Sequence, residues 1–459
     1  MMVGFCPSDL LWEHSGGESM LRQRLRGFHR VPFAGAGWHW GGRLLAAMRG
    51  HRLDLWLIVC SAVGLTLLGL AGLVRADELY GRQQLVERQL IWFTMALAAM
   101  AMCALTPYRL LRSWGYVFWG GSVLLLTTAL FMPPINGSRR WIPLGLFDLQ
   151  ASEPARLAFI FAMATWLMHR DSQRKLAGLV IPAMLALVPM VLIIREPDLD
   201  TALLFAPVLA VMLLAAGAQV RHLVAAILVL VISLPVLWTQ MSAEQQSRIV
   251  AVIMQQDGGE TPSGDGYHLH QAKQILALGG IRGSLLQGQP AIADESAYRL
   301  PAARTDFVFT MIGERFGLAG CGLVLLLHGL LILMGTLTAQ SCQESWGRLT
   351  AIGITTLLGV QVFLNTGMAV GLVPITGTAL PLCSYGGSSL ISSYAALGLL
   401  ISIRRTAGWE AVPPRYLQPQ RDLRFPGAAE ESRLNAHAVA VGRSIVLVVS
   451  IFSGNGIVG

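Results

Sequence analysis

From Leu55 onward the chain alternates long apolar runs with short polar breaks. Runs of roughly 18 or more apolar residues recur, each long enough to cross a ~30 Å hydrocarbon core as an α-helix. The pattern predicts spans near residues 54–74, 90–106, 115–132, 154–168, 177–194, 201–219, 223–239, 306–338, 349–370 and 386–403. A segment in lipid must satisfy its own backbone hydrogen bonds, so the expected fold is an all-α integral membrane protein of about ten transmembrane helices. An even number of spans puts both termini on one side. The apolar stretch Ile445 to Phe452 near the C-terminus is too short to span.

The polar breaks fall into two sets. One is short and basic: Arg109 and Arg112, then Arg170, Arg174 and Lys175, then Arg221, Arg348, and Arg404 with Arg405. Positive charge marks the cytoplasmic side, although Arg82, Arg88, Arg139, Arg140 and Arg195 fall opposite. The other set holds the 133–153 connection, "REPDLD", a large extracytoplasmic loop over 240–305 between the seventh and eighth helices, and "GLVPITGTALPLCSYGGSS". The chain thus divides into a basic cytoplasmic N-terminal arm (1–52), a transmembrane core (53–405) and a cytoplasmic C-terminal tail (406–459). All the unusual polar sequence lies on one face.

Composition agrees with this picture. Hydrophobic residues make up 54% and charged residues 13%, against about a quarter charged in a globular chain, and the mean hydropathy is +0.57. The net charge of +8 would suggest nucleic acid in a soluble chain. Here the basic residues flank spans, so membrane lipids are the expected partners and nucleic acid is not. The six cysteines are scattered without CxxC spacing, which gives neither a disulfide framework nor a zinc site. No cleavable leader precedes Leu55, so the first span is expected to stay attached. There is no P-loop, Rossmann fingerprint, HExxH or repeat of 20–50 residues.

Candidate chemistry then comes from the outer loops and the helix ends beneath them. Asp306, in "RLPAARTDFVF", is a carboxylate at the mouth of a span, a functional candidate by position. Two roles are open for it: capping, with Thr305 as N-cap and Asp306 in the first turn, or catalysis. Glu314 and Arg315 are adjacent and share no helix face, so each needs its own partner, and structural pairing is the expected role. Arg139, Arg140 and Trp141 precede Glu153 and Arg156, whose i, i+3 spacing allows a pair. Trp141 also suits an interfacial anchor and the two arginines suit lipid phosphate. In "REPDLD", Asp198 or Asp200 suits a helix cap, and Glu196, Asp198 and Asp200 are potential cation ligands. His268 and His270 diverge on a helix, while Lys273 and the glycines at 279, 280 and 283 mark unusual backbone. Irregular backbone such as Gly371 to Ser389 survives at membrane depth only when buried in protein or lining a cavity, so it is expected to frame a site.

Five stretches in this order, "NGSRRWIPLG…QASE", "EPDLDT", "GDGYHLHQAKQILALGG", "RTDFVFTMIGERFG" and "GMAVGLVPITGTALPLCSYGGSSL", resemble the SEDS family of RodA, FtsW and their sporulation relative over roughly residues 50–405. The resemblance implies a ten-helix glycosyltransferase of the bacterial inner membrane. Such an enzyme polymerises lipid II into the nascent glycan strand during elongation or division, beside a class B penicillin-binding protein. The aspartate of the family's HTDF motif maps onto Asp306, implied as catalytic. Its QPSExxK motif maps onto Gln150, Ala151, Ser152, Glu153 and Arg156. Expected substrate-binding residues are Glu153, Arg156, Arg140, Trp141, Lys273, Arg304, Tyr385, Gly386, Gly387 and Ser388. The resemblance implies no definite cofactor and leaves room for a divalent cation, Mg or Mn, at the pyrophosphate. The chain departs from the family pattern at Ala302, Arg304, Arg156, Ala151 and Asp200. A lipid II flippase, or a catalytically impaired scaffold for the transpeptidase, are the competing readings.

Overall fold

The computed structural model describes residues 51–80, 85–134, 138–143, 145, 148–168, 176–241, 243–254, 265–287, 300 and 302–410. The basic arm up to residue 50, the tail from residue 411, the basic stretch 169–175 and the loop stretches 255–264 and 288–299 lie outside the described residues.

Every predicted apolar run falls on helix: α1 (His51–Tyr80), α2 (Leu85–Leu105), α3 (Tyr108–Arg112), α4 (Gly115–Ala129), α5 (Ser152–Leu167), α6 (Val180–Arg195), α7 (Leu199–Leu203), α8 (Phe205–Ala215), α9 (Val220–Gln240), α10 (Ala243–Ile253), α11 (Asp265–Gly279), α12 (Gly283–Gln287), α13 (Val308–Ser341), α14 (Ser345–Ala369) and α15 (Gly387–Glu410). Among the described residues six stretches are long and apolar enough to cross a membrane: Leu53–Leu79, Leu85–Leu105, Ala177–Arg195, Val308–Ser341, Ser345–Ala369 and Gly387–Thr406. Gly115–Ala129 and Leu199–Ala215 are shorter apolar helices. The protein is a multi-pass membrane protein. Large apolar side chains such as Trp56, Ile91, Met102, Leu124 and Phe131 stand exposed on the bundle, as a lipid-facing surface requires.

The core pairs α2 with α15, α1 with α13 and α13 with α14. Small residues bring these helices together, as expected where lipid offers no hydrophobic drive: a Cβ at Gly398 would run into the Met100 carbonyl of α2. Between α1 and α13, Arg75 grips Glu314 with two bonds of 2.7 Å each and reaches Glu78 at 3.0 Å, while Arg315 stands 3.6 Å from Glu78. Glu314 and Arg315 thus find separate partners, as their adjacency demands. At the other end of the bundle Glu344 gathers Tyr108, Arg109 and Arg112 at 2.8, 3.2 and 3.0 Å. There Arg404 of α15 also pairs with Asp54 of α1.

The 240–305 segment, expected as loop, contains three helices. Leu269, Ala272 and Ile275 recur every third residue on α11 and bury against Phe307 and Met311, a helical period that the polarity of the segment hides. The glycines after α11 allow a backbone crossing. Gly283 (φ 75°) and Gly317 (φ 65°) lie against each other's backbone, and Leu318 N donates to Gly280 O at 2.9 Å. Gly317 breaks the helical geometry of α13 there. A short antiparallel hairpin, β1 (Trp141–Pro143) and β2 (Asp148–Gln150), pairs Trp141 with Gln150 and leads into α5.

Candidate active site

Asp306 sits in a tight turn before α13. The Ala302 carbonyl accepts from the N–H groups of Thr305, Asp306 and Phe307 at 3.1, 3.0 and 3.2 Å. The N-cap of α13 is Phe307 and makes no side-chain cap bond, and the Thr305 hydroxyl turns back to the Ala302 carbonyl at 3.3 Å. The capping role therefore does not hold for Thr305; the turn, not a side chain, starts the helix. Ala302 (φ 55°) and, across from it, Leu382 (φ 66°) occupy left-handed backbone that costs a side-chain-bearing residue energy.

The irregular stretch between α14 and α15 is mostly buried and is fastened on every side. It is tied to the Asp306 turn by Ser384 Oγ donating to Thr305 O at 2.5 Å and Tyr385 N donating to Arg304 O at 3.1 Å. Asn365 Nδ2 of α14 donates to both Asp306 O and Thr378 O at 2.8 Å. Gln89 of α2 donates to Ser384 O and accepts from Gly386 N. Cys383 Sγ donates to Leu65 O of α1 at 3.3 Å, and His328 of α13 meets Pro381 O at 3.1 Å. Ser388 Oγ donates to Asp148 O at 3.0 Å and accepts from Gln150 N at 3.2 Å, locking the hairpin. Gly387 is packed so tightly under Trp92 that a Cβ would enter the indole ring.

Charged groups converge around the Asp306 carboxyl. Asp198 caps α7 by accepting Thr201 N at 3.2 Å, as the sequence pattern expects, and stands 3.3 Å from Arg140. Asp200 accepts Gly377 N at 2.8 Å and faces Arg248 of α10 at 3.1 Å. Burial lifts the Asp306 carboxyl from the usual 3.8 to about 6; Thr305, Arg140 and Arg248 pull it down and Asp200 pushes it up. Glu196 is fully buried with both oxygens lacking hydrogen-bond partners among the described residues. Burial first, then Asp198, raises it to about 8 against Arg140, so it is neutral at pH 7.

The other expected residues divide. Arg140 joins this cluster; Trp141 is half-buried in the hairpin beside it. Arg304 is held by Asp77 of α1 at 3.0 Å. Lys273 is half-buried on α11 and is not among the charges acting most strongly on Asp306. Glu153 and Arg156 pair with each other, both buried. They line a narrow polar gap of about 10 Å³, room for roughly one water, with Gln361, Ser392 and Ser393. Gln361 lies four residues, about 6 Å, along α14 from Asn365, so this gap sits about one turn from the residue that holds the Asp306 turn. A closed apolar seam shares Arg156 and Leu357 with it.

Asp198 and Asp200 each already face an arginine, and among the described residues no three His, Cys, Asp or Glu side chains form a metal-holding group. Residues that the sequence reading missed include Arg248, Asp77, Asn365 and Gln89. Only Asp77 carried a signal, a charged "RADE" run inside the end of the first apolar stretch.

Known proteins align with this arrangement. The chain is 32% identical over 320 residues to the peptidoglycan glycosyltransferase MrdB of Escherichia coli K12, covering 70% of this chain and 85% of that protein. It is also 32% identical over 367 residues to a probable peptidoglycan glycosyltransferase FtsW of Geobacter metallireducens, covering 77% and 95%. A solved chain from a peptidoglycan synthase complex that coordinates polymerization and crosslinking superposes with a TM-score of 0.65 at 30% identity, covering 77% of this chain and 98% of that one. Residues 51–408 match the cell cycle protein family FtsW/RodA/SpoVE, and the chain belongs to that family.

Proposed function

We propose that the protein is a peptidoglycan glycosyltransferase that polymerises lipid II into glycan strands, with Asp306 as general base. The observation that carries this reading is the Asp306 turn itself. A half-buried carboxyl with its proton affinity raised to about 6 sits on a turn whose carbonyls are held by Ser384, Tyr385 and Asn365. A base poised near neutral pH is what proton removal from a sugar hydroxyl needs. The names of the aligned relatives support the reaction class.

In the reaction, the 4-hydroxyl of the acceptor sugar attacks C1 of the donor. The new C1–O bond forms on one face while the bond from C1 to the undecaprenyl pyrophosphate breaks on the other, inverting the centre. The hydroxyl proton passes to Asp306, and the bonding electrons leave with the pyrophosphate. Arg140 supplies positive charge for that leaving group. Glu153 and Arg156, with Trp141, Lys273, Arg304 and the Tyr385–Ser388 turn, border the substrate site.

On this reading the bundle has ten spans, both termini are cytoplasmic, and Asp306 opens on the outer face of the bacterial inner membrane, with the 240–305 segment between the seventh and eighth spans. The partner is a class B penicillin-binding protein, supported by the likeness to a chain from a polymerising and crosslinking complex. The test is polymerisation of labelled lipid II by the purified protein with that partner. Wild type should give polymer and Asp306→Asn none; polymer from the Asn protein refutes the base assignment.

A further inference from the structure

Asp200 stands where three segments meet. Its Oδ2 takes the Gly377 amide of the α14–α15 stretch at 2.8 Å and Arg248 of α10 at 3.1 Å, while its own backbone belongs to α7. Two residues earlier the arrangement repeats, with Arg140 at 3.3 Å from Asp198. Two guanidinium groups are thus each held by an aspartate, and both act on the Asp306 carboxyl.

The charge balance has a consequence for an anionic ligand. Two arginines face three aspartates, with Glu196 contributing no charge at neutral pH because burial keeps it protonated up to about 8. A diphosphate arriving here meets excess negative charge unless the arginines leave their aspartates. A guanidinium makes that exchange readily, since its planar fork fits phosphate as well as carboxylate. Arg140 and Arg248 are exposed alike, at 31% and 28%, but Asp200 at 19% is wetter than Asp198 at 3%, so the Arg248 pair is the one that exchanges more easily.

We propose that Asp200 is a positioning residue that keeps the Arg248 guanidinium beside Asp306 and yields it to the diphosphate of the incoming lipid-linked sugar. This rests on the transferase reading above and extends it to the 243–253 helix, which becomes a supplier of positive charge to the donor. Asp200 then competes with the substrate for Arg248, and its removal has an effect opposite to the removal of Arg248.

The experiment measures KM and kcat for labelled lipid II with the full chain and its transpeptidase partner, for Asp200→Asn, Arg248→Gln and Arg248→Lys. Asn at 200 retains an oxygen for the Gly377 amide, so the stretch stays anchored. A charge-assisted hydrogen bond corresponds to roughly tenfold in affinity or more. Asp200→Asn should therefore lower KM by up to roughly tenfold, Arg248→Gln should raise it by roughly tenfold, and Arg248→Lys should fall between Gln and wild type. A latch that only docks α10 predicts that both single changes raise KM together, and that result overturns the proposal, as does an unchanged KM in Arg248→Gln. If Asp200→Asn does not fold, Asp200→Ser, which also keeps an oxygen for the Gly377 amide, takes its place with the same two outcomes. The wild type runs alongside: no polymer from it means that the transferase reading has failed, whereas polymer from it with the position 200 and 248 variants moving together means that only the present inference has.

Discussion

Asparagine at position 306 keeps the size of the side chain and removes its charge, so it separates the carboxylate's cost from its use. Burial lifts Asp306 from 3.8 to about 6, so the folded state holds the proton more tightly than the unfolded chain. The sign follows: stability is greatest below pH ~4 and declines as pH rises through about 6, where the buried group must ionise. A tenfold change in proton affinity is ~1.4 kcal/mol, which puts the full cost above pH 6 at about 3 kcal/mol, reduced to roughly 1–2 kcal/mol by solvent reaching a half-buried group. Asp306→Asn should therefore unfold a few degrees higher than wild type at pH 8 while losing polymerase activity. At pH 5 the gap should shrink by about half. Thermal unfolding of both proteins in the same detergent at the two pH values reads this directly. An Asn protein that melts lower than wild type at pH 8 refutes the account, because the carboxylate would then be a structural anchor.

The remaining expectations concern chemistry and packing. The base must be deprotonated, so kcat/KM for lipid II should fall about tenfold per pH unit below about 6; an acid limb near pH 4 would mean that a different carboxylate titrates. Glu314→Gln leaves the buried Arg75 charge with Glu78 alone and should cost about 3 kcal/mol, seen as a lowered melting temperature; a wild-type melt would show that Glu78 suffices. Gly387→Ala drives a methyl group into the Trp92 ring and should cost ~1–3 kcal/mol. Trp92→Leu in the same chain should restore part of that, and no restoration would locate the strain elsewhere.

What the sequence made legible follows from local patterning. A carboxylate at the edge of an apolar run marks Asp306 without any knowledge of its neighbours. The i, i+3 spacing of Glu153 and Arg156 foretells their pair, and the adjacency of Glu314 and Arg315 foretells their different partners. The hidden part depends on contacts between distant positions. Arg304 and Asp77 are 227 residues apart and Arg248 and Asp200 are 48 apart. A lone arginine in the polar stretch "AEQQSRIV" has no period to betray its partner. The same holds for Asn365, an amide in a long apolar helix that joins two carbonyls of separate segments. Arg304, expected among the substrate-binding residues, gives its Nε–H to Asp77. The 240–305 segment reads as loop because charge outweighs its period, yet Leu269, Ala272 and Ile275 suffice to fold α11 once Phe307 and Met311 are there to receive them.

The many fastenings of the stretch between α14 and α15 set the order in which the working protein is born. Leu65, Gln89, His328 and Asn365 each hold one part of it, and they come from helices inserted at very different times. About 300 residues of synthesis separate the end of α1 from this stretch, some 15–60 s at ~5–20 residues per second. Until α15 follows it into the bilayer, Ser384 and Tyr385 are not there to clasp the Asp306 turn. A nascent or truncated chain lacking this stretch and α15 therefore carries the proposed base without its mounting, and the bundle gains its site only once α15 has been made.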